Sequence, residues 1–116
     1  MSLVAAAPTA LVNDFNIFEA IGPITVSGSY VNNGVTFDLT PLGVTSNSLP
    51  FLVEIVEMPA SGSVGSGYTF TYELGTTIAN GKILAFASGG TQAAASTFAS
   101  LGIANIYYRA LFLKFQ

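Results

Sequence analysis

The chain has 116 residues, of which 51 % are hydrophobic and 8 % are charged, and its formal net charge is −3. This length suits one domain with a single core. Three basic residues are too few to neutralise a run of phosphates, which argues against binding to nucleic acid. Because the sequence contains neither cysteine nor histidine, thiol chemistry, imidazole catalysis and the usual zinc sites are excluded.

The low share of charge also has a consequence for the surface. A globular protein carries roughly 25 % charged residues, so this chain cannot cover its surface with charge, and we expect exposed apolar patches that contact other subunits. No membrane span is expected, because the most apolar run, residues 106–115, is about half as long as a spanning helix and contains Arg109 and Lys114. The composition therefore predicts a protein that works within an assembly.

Residues 1–22 show no clean periodicity. Pro8 discourages a helix there, while aromatic residues such as Phe15 and Phe18 need burial. Two interpretations stay open: a frayed terminus with a short packed segment, or an extended arm whose aromatic side chains dock on a neighbouring subunit. We assign residues 1–22 to an N-terminal arm and residues 23–116 to one β-sandwich domain.

Strand signals begin at residue 23 and recur at regular spacing. The strongest alternation is Val35, Phe37 and Leu39, which follow Asn33 and Gly34, a pair that tolerates positive φ and predicts a primed turn. The predicted strands are residues 24–27, 35–39, 51–58, 68–72, 82–87 and 103–115.

The segments between these strands read as turns and loops. Residues 61–67, rich in glycine and serine, predict a flexible loop. Residues 68–87 predict an antiparallel hairpin whose turn ends at Asn80-Gly81. Residues 89–102 are small and polar, and are too few for an isolated helix, so they are predicted to be a loop.

The last predicted strand is about twice the ordinary length and has two largely apolar faces. Such a strand must be central, covered or shared with a partner. Its Arg109 either snorkels off the sheet edge or pairs with an acidic residue across an interface, for which Glu54 and Glu73 are the candidates. Many short strands without a long helix predict an all-β fold, namely a single antiparallel β-sandwich or jelly-roll-like domain.

A catalytic constellation is not evident, and we predict no enzyme. Glu54 and Glu57 form the one close carboxylate pair, but strand residues three apart point to opposite faces. A calcium site that uses Asp38 and Glu73 lacks the spacing of a calcium loop. No catalytic, cofactor-binding or metal-binding residues are therefore predicted.

Three segments resemble small virion proteins of tailed bacteriophages. Gly28 to Leu39, followed by Leu42-Gly-Val44, resembles the family pattern "Tyr-x-x-Gly-Gly, alternating strand, Leu-Gly", with Asn33 in place of the first glycine of the pair. The hairpin of residues 67–86 and the closing run of residues 108–112 resemble the later strands of the family. The resemblance implies a capsid cement or decoration protein: a β-sandwich trimer on the exterior of the virion head, without a cofactor.

Two functions from different classes follow. The first is a structural virion protein that stabilises the phage head by binding across capsid subunits, with the major capsid protein and copies of itself, as a homotrimer, for partners. The alternative is a receptor- or glycan-binding module of a phage tail or adhesin, in which tyrosines form a stacking platform, although core or interface packing is the commoner use of such rows. The residues predicted to lie at an interface are Phe15, Phe18, Tyr68, Tyr72, Tyr107, Tyr108, Arg109 and Phe112.

We predict that chelators leave the protein unchanged. Without cysteine or histidine the chain has no tight transition-metal ligands, and its few basic residues make binding insensitive to salt. Thermal unfolding with and without EDTA checks this, and we expect the same midpoint. A drop of more than a few degrees would reveal a site built from oxygen ligands.

Overall fold

The computed structural model describes residues 2–5, 10–13, 17–26, 28–42, 49–62 and 64–113. Within these residues the chain forms ten strands, a single turn of 3₁₀ helix and one short α-helix. The elements in chain order are β1 (Ser2–Ala5), β2 (Ala10–Asn13), β3 (Ile17–Thr25), β4 (Ser29–Tyr30), β5 (Val35–Asp38), the 3₁₀ helix (Thr40–Leu42), β6 (Leu52–Glu57), β7 (Thr69–Glu73), β8 (Gly81–Phe86), β9 (Ser96–Thr97), α1 (Phe98–Leu101) and β10 (Ile106–Leu113). The all-β fold class is confirmed.

Eight of the strands form one continuous sheet. Its order is β6-β10-β3-β1-β5-β8-β7, and β2 pairs with β3 beside this path. All of its pairings are antiparallel except that of β1 with β5, which is parallel. The end strands β6 and β7 contact each other, so the sheet folds back on itself in a sandwich-like arrangement. Strands β4 and β9 form a separate two-stranded sheet.

The core lies between the folded halves of the sheet. Val35, Phe37 and Leu39 are buried as their alternation predicts. Strand β10 is central, with β3 on one side and β6 on the other, and it contributes Tyr108 to the core. The ring of Tyr108 lies 6.0 Å from that of Phe37, and the ring of Tyr72 lies 6.3 Å from Phe37 at a steep angle. Buried aromatic pairs of this kind add to the energy of area burial.

Strand β3 crosses the boundary that the sequence predicted between residues 22 and 23. It pairs with β10 from Ile17 to Pro23, and Ala20 is fully buried. Residues 17–22 therefore belong to the sheet rather than to an arm. Its inward positions include Ala20 and Gly22, whose small size hides the alternation from a sequence pattern.

The turn before β5 differs in detail from the predicted primed turn. The N–H of Gly34 donates to the carbonyl of Val31 at 3.2 Å, so the central residues are Asn32 and Asn33. Of these two, Asn33 alone has positive φ, at 72°. A primed type I turn needs positive φ at both central residues. The flanking strands accordingly do not form a hairpin: β4 pairs with β9, and β5 pairs with β8.

The segment predicted as a loop, residues 89–102, contains the helix α1. The hydroxyl oxygen of Thr97 accepts from the N–H of Ser100 at 3.1 Å and caps the helix start. Gly102, at φ 74°, ends the helix in the left-handed region. The helix buries Phe98, whose ring packs edge-on against Tyr30 at 6.3 Å. Tertiary packing thus stabilises a helix that is too short to persist alone.

The buried hydroxyl of Tyr30 joins three segments. It accepts a hydrogen bond from the N–H of Ala85 at 3.1 Å and donates to Oε1 of Gln92 at 3.1 Å. The same Gln92 oxygen accepts from the N–H of Asn33 at 2.8 Å. Strand β5 begins at Val35, which pairs with Ile83 of β8. Ala85 lies two residues further along β8, outside the part that pairs with β5. The hydroxyl therefore takes the place of a strand partner just before β5 begins.

The hairpin of β7 and β8 is confirmed, and its register places Tyr72 opposite Ile83. The ring of Tyr72 covers Gly81, where any side chain would collide with it. The hydroxyl oxygen of Tyr72 is buried, and it is the one such side-chain atom without a hydrogen-bond partner in the part of the chain that the structure describes.

We predict that Tyr30→Phe lowers the free energy of unfolding by about 1–3 kcal/mol, because it leaves the buried N–H of Ala85 without a partner while the ring stays. Denaturant unfolding measures the loss, with Tyr107→Phe on the outer surface of β10 as the matched control. Gln92→Ala should add little once Tyr30→Phe is present, since both break one network. Equal effects of Tyr30→Phe and Tyr107→Phe would contradict this.

Candidate contact face

Strands β3, β10 and β6 present one outward face, which we name the contact face. Directly opposed residues of antiparallel strands share a face of the sheet. Residues of β10 that alternate with the buried Tyr108 therefore point outward together with their partners on β3 and β6. The contact face comprises Ile17, Glu19, Ile21, Pro23, Leu52, Glu54, Val56, Tyr107, Arg109, Leu111 and Leu113.

Several large apolar side chains of this region are exposed. Leu52 is 40 % exposed, Val56 50 % and Leu113 36 %, and Met58, just beyond β6, is 62 % exposed. Soluble monomers rarely expose a contiguous apolar patch larger than a few hundred Å². The contact face and the residue that follows β6 thus leave several apolar side chains in solvent.

Arg109 lies at the centre of the contact face between two carboxylates. Its Nε donates to Oε2 of Glu19 at 2.5 Å, and one terminal nitrogen donates to Oε1 of Glu54 at 2.6 Å. The hydrogen bonds that Arg109 donates to Glu54 and Glu19 raise the pKa of its guanidinium. Glu54, one predicted partner of Arg109, is therefore a partner within the same chain. Glu73, the other, lies opposite Lys82 in the other half of the sheet.

Glu19 is the partner of Arg109 that sequence reasoning missed. It lies on β3, in the segment assigned to an arm, so no pairing with Arg109 could be read from the sequence. In the structure Glu19 is opposite Leu111, two residues along β10 from Arg109. This diagonal position lets the long Arg109 side chain reach it across the strands.

The outward face of β5, β8 and β7, which we name the threonine face, is different in character. Thr69, Thr71 and Glu73 are exposed on β7, and Lys82 of β8 lies opposite Glu73. The apolar residues of this face, Leu84 and Phe86, are partly buried. Threonine suits a strand surface that faces water. The two outward faces of the molecule thus differ in what they expose: apolar side chains on the contact face, and Thr69, Thr71 and Glu73 on the threonine face.

A shallow apolar groove crosses the contact face beside Arg109. Its volume is about 200 Å³, and its walls include Ile21, Val56, Met58 and Tyr107. Because Val56 and Met58 belong to β6 and its continuation, the groove lies next to the start of the loop that follows β6. We refer to this depression as the groove.

The loop that links β6 to β7, residues 58–68, is anchored by a carboxylate. The N–H of Ser66 donates to both oxygens of Glu57, at 3.1 and 3.0 Å, and the Ser66 hydroxyl donates to Oε1 at 2.9 Å. Gly65 has φ 82° and passes so close to Glu57 that a Cβ there would lie 2.9 Å from Oε1. Val64 is 99 % exposed.

The residues that were predicted to lie at an interface do not share one face of the structure. Tyr107 and Arg109 are on the contact face, and Phe15 lies outside the described residues. Tyr108 and Phe112 are 1 % exposed and belong to the core of the chain, because they fall on the inward side of β10. Phe18 packs edge-on against Phe112 at 6.2 Å.

The remaining two predicted residues, Tyr68 and Tyr72, are partly buried and pack against the core. The hydroxyl of Tyr72 is enclosed as well. Because Tyr108 is also buried, the four tyrosines do not form one exposed platform.

Within the described ranges, no group of three or more acidic side chains could hold a metal ion. No helix in the described part of the chain is long and apolar enough to span a membrane. Searches of protein-family models, curated proteins and solved structures found no match to this chain.

We predict that stability falls in strongly alkaline solution and that Tyr108 accounts for part of the fall. Burial raises the pKa of Tyr108 to about 12 and also raises that of Tyr72, from an ordinary value of 10.0. The unfolded chain therefore loses these protons first, so their contribution is complete below about pH 10 and is lost as the pH rises toward 12.

Urea unfolding across this alkaline range measures the slope. Tyr108→Phe should unfold with a shallower dependence on pH than the wild type, whatever its stability at neutral pH. Identical slopes for the two proteins would show that Tyr108 ionises alike in the folded and unfolded chains.

Proposed function

We propose that this chain is a structural virion protein of the capsid cement or decoration type. It acts as a homo-oligomer, most simply a homotrimer, that binds across subunits of the major capsid protein on the outside of a phage head. The observation that carries the proposal is the difference between the two outward faces. A protein fixed in an assembly needs one surface that contacts its neighbours and another that meets water.

Exposed apolar side chains support association. The contact face spans three strands, to which β10 contributes four residues, and exposed apolar side chains lie on both β6 and β10. Exposed apolar side chains grouped in this way favour contact with a partner.

The charges of the contact face support the same conclusion. Arg109 already donates to Glu19 and Glu54, so the guanidinium would carry satisfied hydrogen bonds into an interface. An unpaired charge in the same place would make association costly. Exposed apolar residues around a satisfied polar centre are compatible with a permanent contact.

The motifs of the phage resemblance have clear structural roles. Asn33 takes the positive φ that the turn after Tyr30 requires, and Gly81 leaves room for the ring of Tyr72. The glycan-binding alternative has less support, because the side chain of Tyr108 and the hydroxyl of Tyr72 are turned inward.

We predict that Val56→Glu abolishes association. The substitution puts a carboxylate in the middle of the contact face, beside Glu54, and burying it unpaired in an interface costs several kcal/mol. Light scattering at micromolar concentration should show an oligomer for the wild type and a monomer for the variant. Electron microscopy should show that the variant no longer occupies the particle.

Thr71→Glu is the matched control, because it adds the same charge at an exposed strand position on the threonine face. It should leave both the oligomer and the occupancy unchanged. Circular dichroism checks that both variants remain folded. A monomeric wild type, or a Val56→Glu variant that still assembles and still occupies the particle, would overturn the proposal.

A further inference from the structure

The sequence contains two Asn-Gly pairs, Asn33-Gly34 and Asn80-Gly81. In such a pair the backbone nitrogen of the glycine can attack the side-chain amide carbon of the asparagine, because glycine has no Cβ to obstruct the approach. Asparagine is accordingly one of the thermolabile residues of proteins. The structure holds the two pairs in different ways, which allows their reactivities to be compared within one chain.

The side chain of Asn80 is held at both of its polar atoms. Its Oδ1 accepts from the N–H of Thr77 at 2.9 Å, and its Nδ2 donates to Oγ1 of Thr76 at 2.7 Å. Oδ1 also lies against Gly75, so the amide points back toward the residues that precede Asn80. Gly81, which follows it, is the first residue of β8 and is buried. Two hydrogen bonds must therefore break before the amide of Asn80 can turn toward the nitrogen of Gly81.

Asn33 lies in an exposed turn, and its side chain is not held in this way. Its backbone N–H donates to Gln92, but with the residues that the structure describes its side-chain amide makes no hydrogen bond. Gly34 precedes β5 and is buried, and its N–H donates to the carbonyl of Val31 at 3.2 Å, the long limit for such a bond. The reaction at Asn33 therefore needs a local opening of the turn, which breaks this one long hydrogen bond.

We propose that Asn33 is a site of spontaneous deamidation and that the folded chain protects Asn80. The backbone nitrogen of Gly34 bonds to Cγ of Asn33 and loses its proton, the bond from Cγ to Nδ2 breaks, and ammonia leaves with that proton. The product is a cyclic succinimide, which water opens to aspartate or isoaspartate. Water is the reagent consumed, and neither an oxidant nor an enzyme is required. The inference does not depend on the proposed function.

The modification changes both the charge and the backbone of the turn. Either product carries a carboxylate where the amide stood, so the chain becomes more negative by one charge. Isoaspartate also places the side-chain CH₂ in the main chain, between the N–H that binds Gln92 and the start of β5. Deamidation of Asn33 therefore alters the turn beside the hydrogen-bond network of Tyr30.

Peptide mass spectrometry measures the two reactions separately. The native protein is kept at neutral pH, samples are digested with chymotrypsin, and the mass gain of the peptides that contain Asn33 and Asn80 is followed with time. The reaction at Asn80 must break one more hydrogen bond, which corresponds to a factor of about five. Asn33 should therefore convert about fivefold faster than Asn80 or more. In concentrated urea both pairs are unfolded, and their rates should become comparable.

Two variants serve as matched controls. Asn33→Gly removes the amide, and glycine accepts the positive φ of this position, so the mass gain at residue 33 should disappear. Thr76→Val removes the acceptor of Nδ2 in Asn80, so Asn80 should convert faster than in the wild type, by a factor of about five. Circular dichroism checks that both variants remain folded.

Conversion of Asn33 ahead of Asn80 in the native protein, but not in urea, would support the inference. Equal native rates, a faster reaction at Asn80, or no reaction at Asn33 by the time that the chain in urea has converted, would overturn it. An unchanged rate at Asn80 in Thr76→Val would overturn the protection that we assign to its hydrogen bonds. None of these results depends on whether copies of the chain associate, so the proposed function is tested separately.

Discussion

One buried hydroxyl, that of Tyr30, joins the two sheets of this protein. Strand β8 extends past the first residue of β5, and without Tyr30 the buried N–H of Ala85 would have no partner on that side. The Tyr30 hydroxyl accepts a hydrogen bond from that N–H and donates one to Oε1 of Gln92, which also accepts from the N–H of Asn33 in the turn. The ring of Tyr30 also packs in a T-shaped contact with that of Phe98 in α1. Leaving the N–H of Ala85 buried without a partner would cost more free energy than an ordinary hydrogen bond contributes. The segments that Tyr30 joins are therefore held in the positions that keep this network intact.

The function that we propose follows from the same arrangement. The inward side chains of β10 pack in the core. On its outward side, Arg109 pairs with Glu19 and Glu54 among apolar residues. The other half of the sheet faces outward with threonines. A difference of this kind gives the molecule a preferred orientation in an assembly.

Local patterns predicted the local elements. The alternation of Val35, Phe37 and Leu39 and the hairpin of residues 68–87 were evident because their signals lie within a few residues. The extent of β3 was hidden because Ala20 and Gly22 are small, and because its partner β10 is about 90 residues away. Because Glu19 and Arg109 are equally far apart in the sequence, their pairing could not be predicted either. For α1 a signal was present, a threonine cap and a closing glycine, but a helix so short depends on the docking of Phe98.

The ring of Tyr72 lying over Gly81 also restricts how the hairpin can form. A slip of one residue between β7 and β8 would turn every side chain to the opposite face of the sheet. A slip of two keeps the faces but brings a side-chain-bearing residue, Ile83, to the place where the ring requires a bare Cα. Such a misaligned pairing would therefore force a side chain against the ring of Tyr72. A single glycine thus helps to fix the register of the hairpin.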